Sequence, residues 1–197
     1  TEFDKDSQST ICLYLITRHG RATPLVWKTV SRKTLANNRN RYEDEAIELL
    51  HSSLPEEVRA TILADRGFGD QVRYQHLALL GFDYVIRFRE GIHVTHGTDT
   101  KPAKQWLAKT GRARMLKEAK VTADKTEVPA VVLTHDKRMK DAWCIATSRT
   151  DLNATQVTKL YGRRFTIEET FRDTKDIHFG LGLSATHIRS PGRRDRL

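Results

Sequence analysis

The order of elements read from this sequence predicts an α/β fold, a layered α/β domain interrupted by an insertion. Three observations carry that reading. Short runs rich in β-branched and aromatic residues alternate with amphipathic stretches of helical period. A basic segment with β-like runs separates two parts of that alternation. An Asp closes one apolar run immediately before a Gly-punctuated loop, the place where open α/β sheets collect their ligand sites.

The elements follow in order. Residues 11–17 and 23–30 are strand-like and turn at His19-Gly20, which reads as a β-hairpin. "YEDEAIELLHSSLPEEV" is a helix stopped before Pro55, because the residue before a proline is pushed out of the α region. "VRATILAD" is a short strand ending on Asp65, and "RGFGD" is its loop. "QVRYQHLALLG" is a helix with Gly81 as its stop, and "FDYVIRFRE" is the next strand. "VPAVVLTH" lies in the basic segment, and "AWCIATS" is a strand beyond it. Asn153 caps the final helix, which carries "LYGRRFTIEETFRDTKD". The expected organisation is a core begun by residues 1–90, a basic β-rich insertion at 91–140, and a core completed by 141–197.

Composition narrows the function. The 197 residues are 38 % hydrophobic and 30 % charged, and the formal net charge is +9. Residues 101–140 hold 11 Lys or Arg against 4 Asp or Glu, so most of the excess sits in one segment. Such a surface suits a polyanion, nucleic acid above all. No apolar run approaches the roughly 18 residues of a membrane span, and the opening TEFDKDSQST has no apolar signal-peptide core. Cys12 and Cys144 lie in apolar runs far apart and read as small core residues. The His residues show no zinc-ligand spacing, so no structural zinc is expected.

The candidate chemistry rests on five residues. Asp65 at a strand end either faces a cleft or caps its own turn. On one continuous helix Tyr161, Arg164, Glu168 and Lys175 fall within a sector of about 60°, beside an apolar stripe of Leu160, Ile167 and Phe171. An ordinary amphipathic helix would show the same stripe. If Asp65 and Glu168 converge, they can hold hard divalent cations through oxygen. Two Mg²⁺ ions about 3.5–4 Å apart can activate a nucleophile and stabilise a leaving oxygen in phosphoryl transfer. Arg164 can then grip a phosphate bidentately, Lys175 supplies a point charge, and Tyr161 can hydrogen-bond a phosphate or stack on a displaced base.

The spacing Y-x2-R-x3-E-x6-K, formed by those last four residues, resembles the signature of bacterial insertion-sequence transposases of the DDE class, the group typified by insertion sequences four and ten. "RRFTIEETFRDTKD", "LADRGFGDQ", "TRHGRATPLVWKTV" and the "GLGL" at 180–183 resemble that group too, so the likeness runs along essentially the whole chain. It implies an RNase H-like catalytic domain with a β-rich insertion between the second catalytic Asp and the Glu. It implies DNA transposition: metal-dependent cleavage of transposon ends and strand transfer into target DNA, with Mg²⁺ or Mn²⁺ held in a two-metal site. Asp65 then corresponds to the second Asp, Glu168 to the Glu, and Tyr161, Arg164 and Lys175 to accessory DNA-binding positions. Where a flipped base is held by an aromatic ring, Trp143 and Trp106 are the candidates. The partners implied are double-stranded DNA and a second copy of the protein on paired ends, with no membrane, in the bacterial cytoplasm at the nucleoid.

The start departs from that pattern. The group's first catalytic Asp sits on the first strand in an Asp-Trp-Thr or Asp-Trp-Ser motif, and Thr1-Glu2-Phe3 fits only its tail. The expectation is therefore a fragment of the catalytic domain with its first strand missing. Glu2, Asp4 and Asp6 are the nearest acids. Two other readings stay open at this point, a catalytically silent DNA-binding fragment and an RNase H-like nuclease that cuts without joining.

Overall fold

The computed structural model describes residues 7–68, 71–178, 180, 182 and 185–196. Glu2, Asp4 and Asp6 lie outside them, as do Gly69 and Asp70 of the loop after Asp65 and Leu181 and Leu183 of the GLGL stretch. In chain order the elements are β1 (Gln8–Ile16), β2 (Ala22–Ser31), α1 (Arg32–Ala36), α2 (Arg39–Ser53), β3 (Thr61–Ala64), α3 (Gln71–Leu79), β4 (Asp83–Phe88), β5 (His93–His96), β6 (Asp99–Pro102), a 3₁₀ turn (Ala103–Trp106), β7 (Arg114–Val121), β8 (Thr126–Thr134), β9 (Trp143–Thr147), α4 (Ala154–Gly162), α5 (Phe165–Lys175) and α6 (Pro191–Arg194). The chain divides into two compact units, Thr1–Pro55 with Phe165–Leu197, and Glu56–Arg164.

The first unit is built on the hairpin. β1 and β2 pair antiparallel, with a bulge where Leu25, next to Pro24, has no partner opposite. Proline cannot donate to the ladder, so an irregularity beside it is expected. The turn holds Gly20 at φ 75°, a left-handed conformation that glycine adopts without a Cβ clash. The Ser31 hydroxyl accepts from the Thr34 N–H and caps α1. α2 buries Glu43, Ala46, Ile47 and Leu50, the i, i+3, i+4, i+7 stripe of a helix packed on one face. Its cap Leu54 is extended ahead of Pro55, as the pre-proline restriction demands. α5 packs on the hairpin through Tyr14 and Phe171, edge to face at 5.4 Å, and the Thr170 hydroxyl accepts from the Ala22 N–H at 2.9 Å. Beyond α6, Asp195 serves β2 twice: its carbonyl accepts from the Trp27 indole and its carboxylate from the Thr29 N–H.

The second unit carries a seven-stranded mixed sheet in the order β3-β4-β9-β8-β7-β5-β6. β3 and β4 are parallel, with Thr61 opposite Asp83 and Ala64 opposite Ile86, and every other pair is antiparallel. A parallel pair needs a crossover, and α3 supplies it. That helix ends in a Schellman motif. The Phe82 N–H donates to Leu77 O, the Gly81 N–H donates to Ala78 O, and Gly81 sits at φ 72°. Tyr74 of α3 stacks on Tyr84 of β4 at 5.4 Å. α4 covers the other face, where Val85, Val132, Ile145, Val157 and Tyr161 form a fully buried cluster. The strands of 91–140, β5 to β8, belong to this same sheet, and β8 lies between β7 and β9.

Two local readings meet a different structure. The stretch read as one helix from Asn153 onward is two helices, α4 ending at Gly162 and α5 beginning at Phe165. The last turn of α4 tightens: the Arg163 N–H bonds Leu160 O and the Arg164 N–H bonds Tyr161 O, both three residues back. Gly162 contributes least to helix continuation, while Val157 and Tyr161 are fixed by the core before it. The line of four polar residues on a single helix face is therefore broken. Trp106 is the second case. It is buried, its indole donates to Val94 O, and Lys101 Nζ lies 4.0 Å over its ring, which makes it a core residue of the basic segment. Cys144 is buried and free, with burial pushing its thiol up to about 12, and Cys12 is a free, half-buried thiol.

Candidate functional site

β3 is four residues long, and Asp65 follows its last residue. The chain then turns, the Asp65 carbonyl accepting from the Phe68 N–H at 2.9 Å. The carboxylate takes part in the turn as well, since Oδ1 accepts from the Arg66 N–H at 2.8 Å. The turn-capping role is thus real, and it occupies one of the two oxygens. Oδ1 also accepts from the Tyr161 hydroxyl at 3.1 Å. Oδ2 faces Arg164 Nη2 at 3.6 Å and accepts no hydrogen bond among the described residues.

Tyr161 stands where it does because α4 is tightly specified. Asn153 and Gln156 cap it reciprocally, a capping box that satisfies two end N–H groups. Val157 and Tyr161, one turn apart, point into the sheet and are fully buried. Trp143, at the start of β9, meets the Tyr161 ring edge to face at 4.9 Å. Burial raises the Tyr161 phenol, partly offset by the nearby Arg164 charge, so it stays a hydrogen-bond donor to Asp65.

Two guanidiniums face the same carboxylate. Arg164 approaches from the turn after α4 and also lies 5.7 Å from the Tyr161 ring centre. Arg87, on β4 beside β3, approaches Oδ1 at 3.9 Å. Both side chains are largely buried, 14 % and 12 % exposed. At 3.6 and 3.9 Å these are ion pairs without a direct hydrogen bond, so the carboxylate's lone pairs are not consumed. Burial by itself raises the Asp65 carboxyl. The Arg66 N–H, the Arg164 charge, the Tyr161 hydroxyl and the Arg87 charge outweigh it and hold the group below its ordinary value.

Of the five residues read from the sequence, three meet here: Asp65, Tyr161 and Arg164. Glu168 and Lys175 belong to α5 in the other unit, both with exposed side chains. Arg87 and its second partner Asp141 escaped the sequence reading. Arg87 had a signal: a charge inside "DYVIRF", a strand otherwise buried, must have a partner. Asp141 had none, since an acidic loop residue is ordinary.

The same end of the sheet is basic. Arg112 and Arg114 lead into β7, and Lys137, Arg138 and Lys140 follow β8; all five are exposed. Among the described residues no helix is long and apolar enough to cross a membrane.

A carboxylate stands at the carboxyl end of a parallel strand pair, with arginines around it and a basic rim beside it, at the place where open α/β sheets collect ligands. The family can be stated: the model of the transposase DDE domain matches residues 29–193, and the chain belongs to that family. A search of curated proteins gave no match. DDE transposase domains act on DNA in transposition and generally use divalent metal ions. A hard dication takes oxygen ligands, and Asp65 Oδ2 fits one such position. Among the described residues no three His, Cys, Asp or Glu side chains gather into a metal cluster.

Proposed function

We propose that this domain catalyses metal-dependent cleavage of transposon ends and strand transfer of those ends into target DNA. The observation that supports it best is the Asp65 carboxylate, kept ionised at the end of β3 with one oxygen open, in a chain of the transposase DDE family. Asp65 and Glu168 hold the divalent ions, Mg²⁺ or Mn²⁺, in a two-metal site within an RNase H-like domain of the Y-R-E-K group. A third carboxylate completes the set. Ions held there would supply Lewis-acid chemistry at the scissile phosphate and would make the attacking group easier to deprotonate.

The other residues position. Tyr161 and the Arg66 N–H fix Oδ1, so the carboxylate cannot rotate and its second oxygen points one way. Arg164 and Lys175 contact DNA phosphates, Arg164 as a planar fork and Lys175 as a point charge. Arg112, Arg114, Lys137, Arg138 and Lys140 hold the duplex backbone, and a second copy serves the paired end. Trp143 is the better placed of the two tryptophans for a displaced base, because Trp106 is closed in the core.

The test is nicking and joining of labelled transposon-end DNA by the full-length protein with and without Mg²⁺. Cut and joined product in Mg²⁺ alone is expected. Asp65→Asn should lower it on the order of 10³-fold, the equivalent of several kcal/mol of lost charge stabilisation. Cleavage without joining identifies a nuclease, and salt-sensitive binding without either identifies a silent DNA-binding protein.

A further inference from the structure

Arg87 has a second seat. Its Nη2 donates to the Ala142 carbonyl at 3.1 Å and lies 3.7 Å from Asp141 Oδ2, while Nη1 faces Asp65 Oδ1 at 3.9 Å. The guanidinium therefore stands between two carboxylates, one on each side of it, with a backbone oxygen as its single hydrogen bond to the described residues. Its Nε is buried and makes no hydrogen bond among the described residues.

We infer that Asp141 is a positioning residue that acts through Arg87 to keep Asp65 available to a divalent cation. The inference rests on the reading of Asp65 as a metal ligand. A cationic side chain this buried is strongly destabilised if it loses its counter-charge. With Asp65 as its only anion, Arg87 would close onto that carboxylate and compete with any incoming dication, like charge against like charge. Asp141 and Ala142 O offer the alternative: Arg87 stays paired when Asp65 turns its charge to another ligand. Three features of the geometry agree. Both carboxylate contacts are longer than a hydrogen bond, the one hydrogen bond among the described residues goes to the Ala142 carbonyl next to Asp141, and the two carboxylates face different nitrogens of one planar fork. Asp141 itself is mostly exposed, so its charge is retained without burial cost.

The test is Mn²⁺ affinity, read by calorimetry and by electron paramagnetic resonance of free Mn²⁺, for the full chain and six variants, two of them double. Asp141→Asn should weaken binding roughly tenfold, the scale of one close charge pair. Arg87→Gln should strengthen it several-fold, because a competing cation is gone. In the Arg87→Gln background Asp141→Asn should change affinity by less than about twofold, since Asp141 has nothing left to act through. Arg87→Lys, which keeps the charge but cannot span both carboxylates, covers the case that Arg87→Gln fails to fold. It should bind Mn²⁺ with little dependence on Asp141. An equal Asp141→Asn effect in both backgrounds would make Asp141 a plain distant charge and overturn the inference, as would no effect in either. If Asp65→Asn leaves Mn²⁺ binding unchanged, or the parent chain binds none, the metal reading of Asp65 fails first and this inference falls with it.

Discussion

The sheet of the second unit has two charged ends, and they are built on opposite plans. At the end where β3 and β4 begin, Arg149 forks onto Asp151, Nε to Oδ1 and Nη2 to Oδ2 both at 2.8 Å, and its third nitrogen donates to Thr61 Oγ1 at 3.1 Å. Asp83 accepts from the Ser148 hydroxyl at 2.8 Å and pairs with Arg59 at 3.7 Å. Two cations meet two anions, and the Arg149–Asp151 pair has the short, forked geometry arginine favours. At the other end two buried arginines face one carboxylate at 3.6 and 3.9 Å, and only the polar neighbours Tyr161 and Arg66 bond it directly. The first end is satisfied and therefore structural: Arg149 ties edge strand β3 to the segment after β9. The second holds Asp65 through ion pairs longer than a hydrogen bond, shares Arg87 with Asp141, and leaves one Asp65 oxygen without a hydrogen bond among the described residues, which is why we propose ligand binding there.

That contrast is broken most severely at Tyr161. Tyr161→Ala empties a fully buried position in the cluster that joins α4 to the sheet, and should cost about 3–5 kcal/mol in urea unfolding. Tyr161→Phe keeps the packing and removes only the bond to Asp65, so it should cost about 0.5–1.5 kcal/mol. Equal losses would mean that the hydroxyl, not the ring, holds α4 in place.

Arg149→Gln sharpens the comparison from the other side. It should lower stability by about 1 kcal/mol, the scale of a partly exposed forked pair, and leave metal-dependent DNA cleavage unchanged. A selective loss of cleavage with stability intact would move function to the satisfied end.

The smallest expected effect is a pH dependence. Asp65 is held below its ordinary value in the folded chain, so its contribution is present above the ordinary carboxylate range and is lost as pH falls through the lowered value. Urea midpoints followed downward from pH 6 should decline less steeply in Asp65→Asn than in the parent. A steeper decline in the variant would contradict the sign.

Much of this was legible because it is local. The hairpin, the α3 stop at Gly81, the strand ending at Asp65 and the Asn153 cap each depend on a few adjacent residues whose backbone preferences agree. The break between α4 and α5 was not, since a single Gly162 weakens a helix by only about 1 kcal/mol and does not by itself end one. Arg164 lies one turn from Glu168 in sequence, whereas Asp65, with which it pairs, is remote in sequence. Arg87 was visible as a charge in a buried strand, but its sharing between Asp65 and Asp141 depends on β4 lying between β3 and β9, a matter of sheet order.

The central claim, the proposal that Asp65 and Glu168 hold the same divalent ion, is tested most directly by a double-mutant cycle in Mn²⁺ affinity. Asp65→Asn and Glu168→Gln should each weaken binding by roughly tenfold or more, and the double variant should bind no worse than the weaker single. Losses that multiply, or a Glu168→Gln variant that binds like the parent, would show that the two carboxylates do not share an ion.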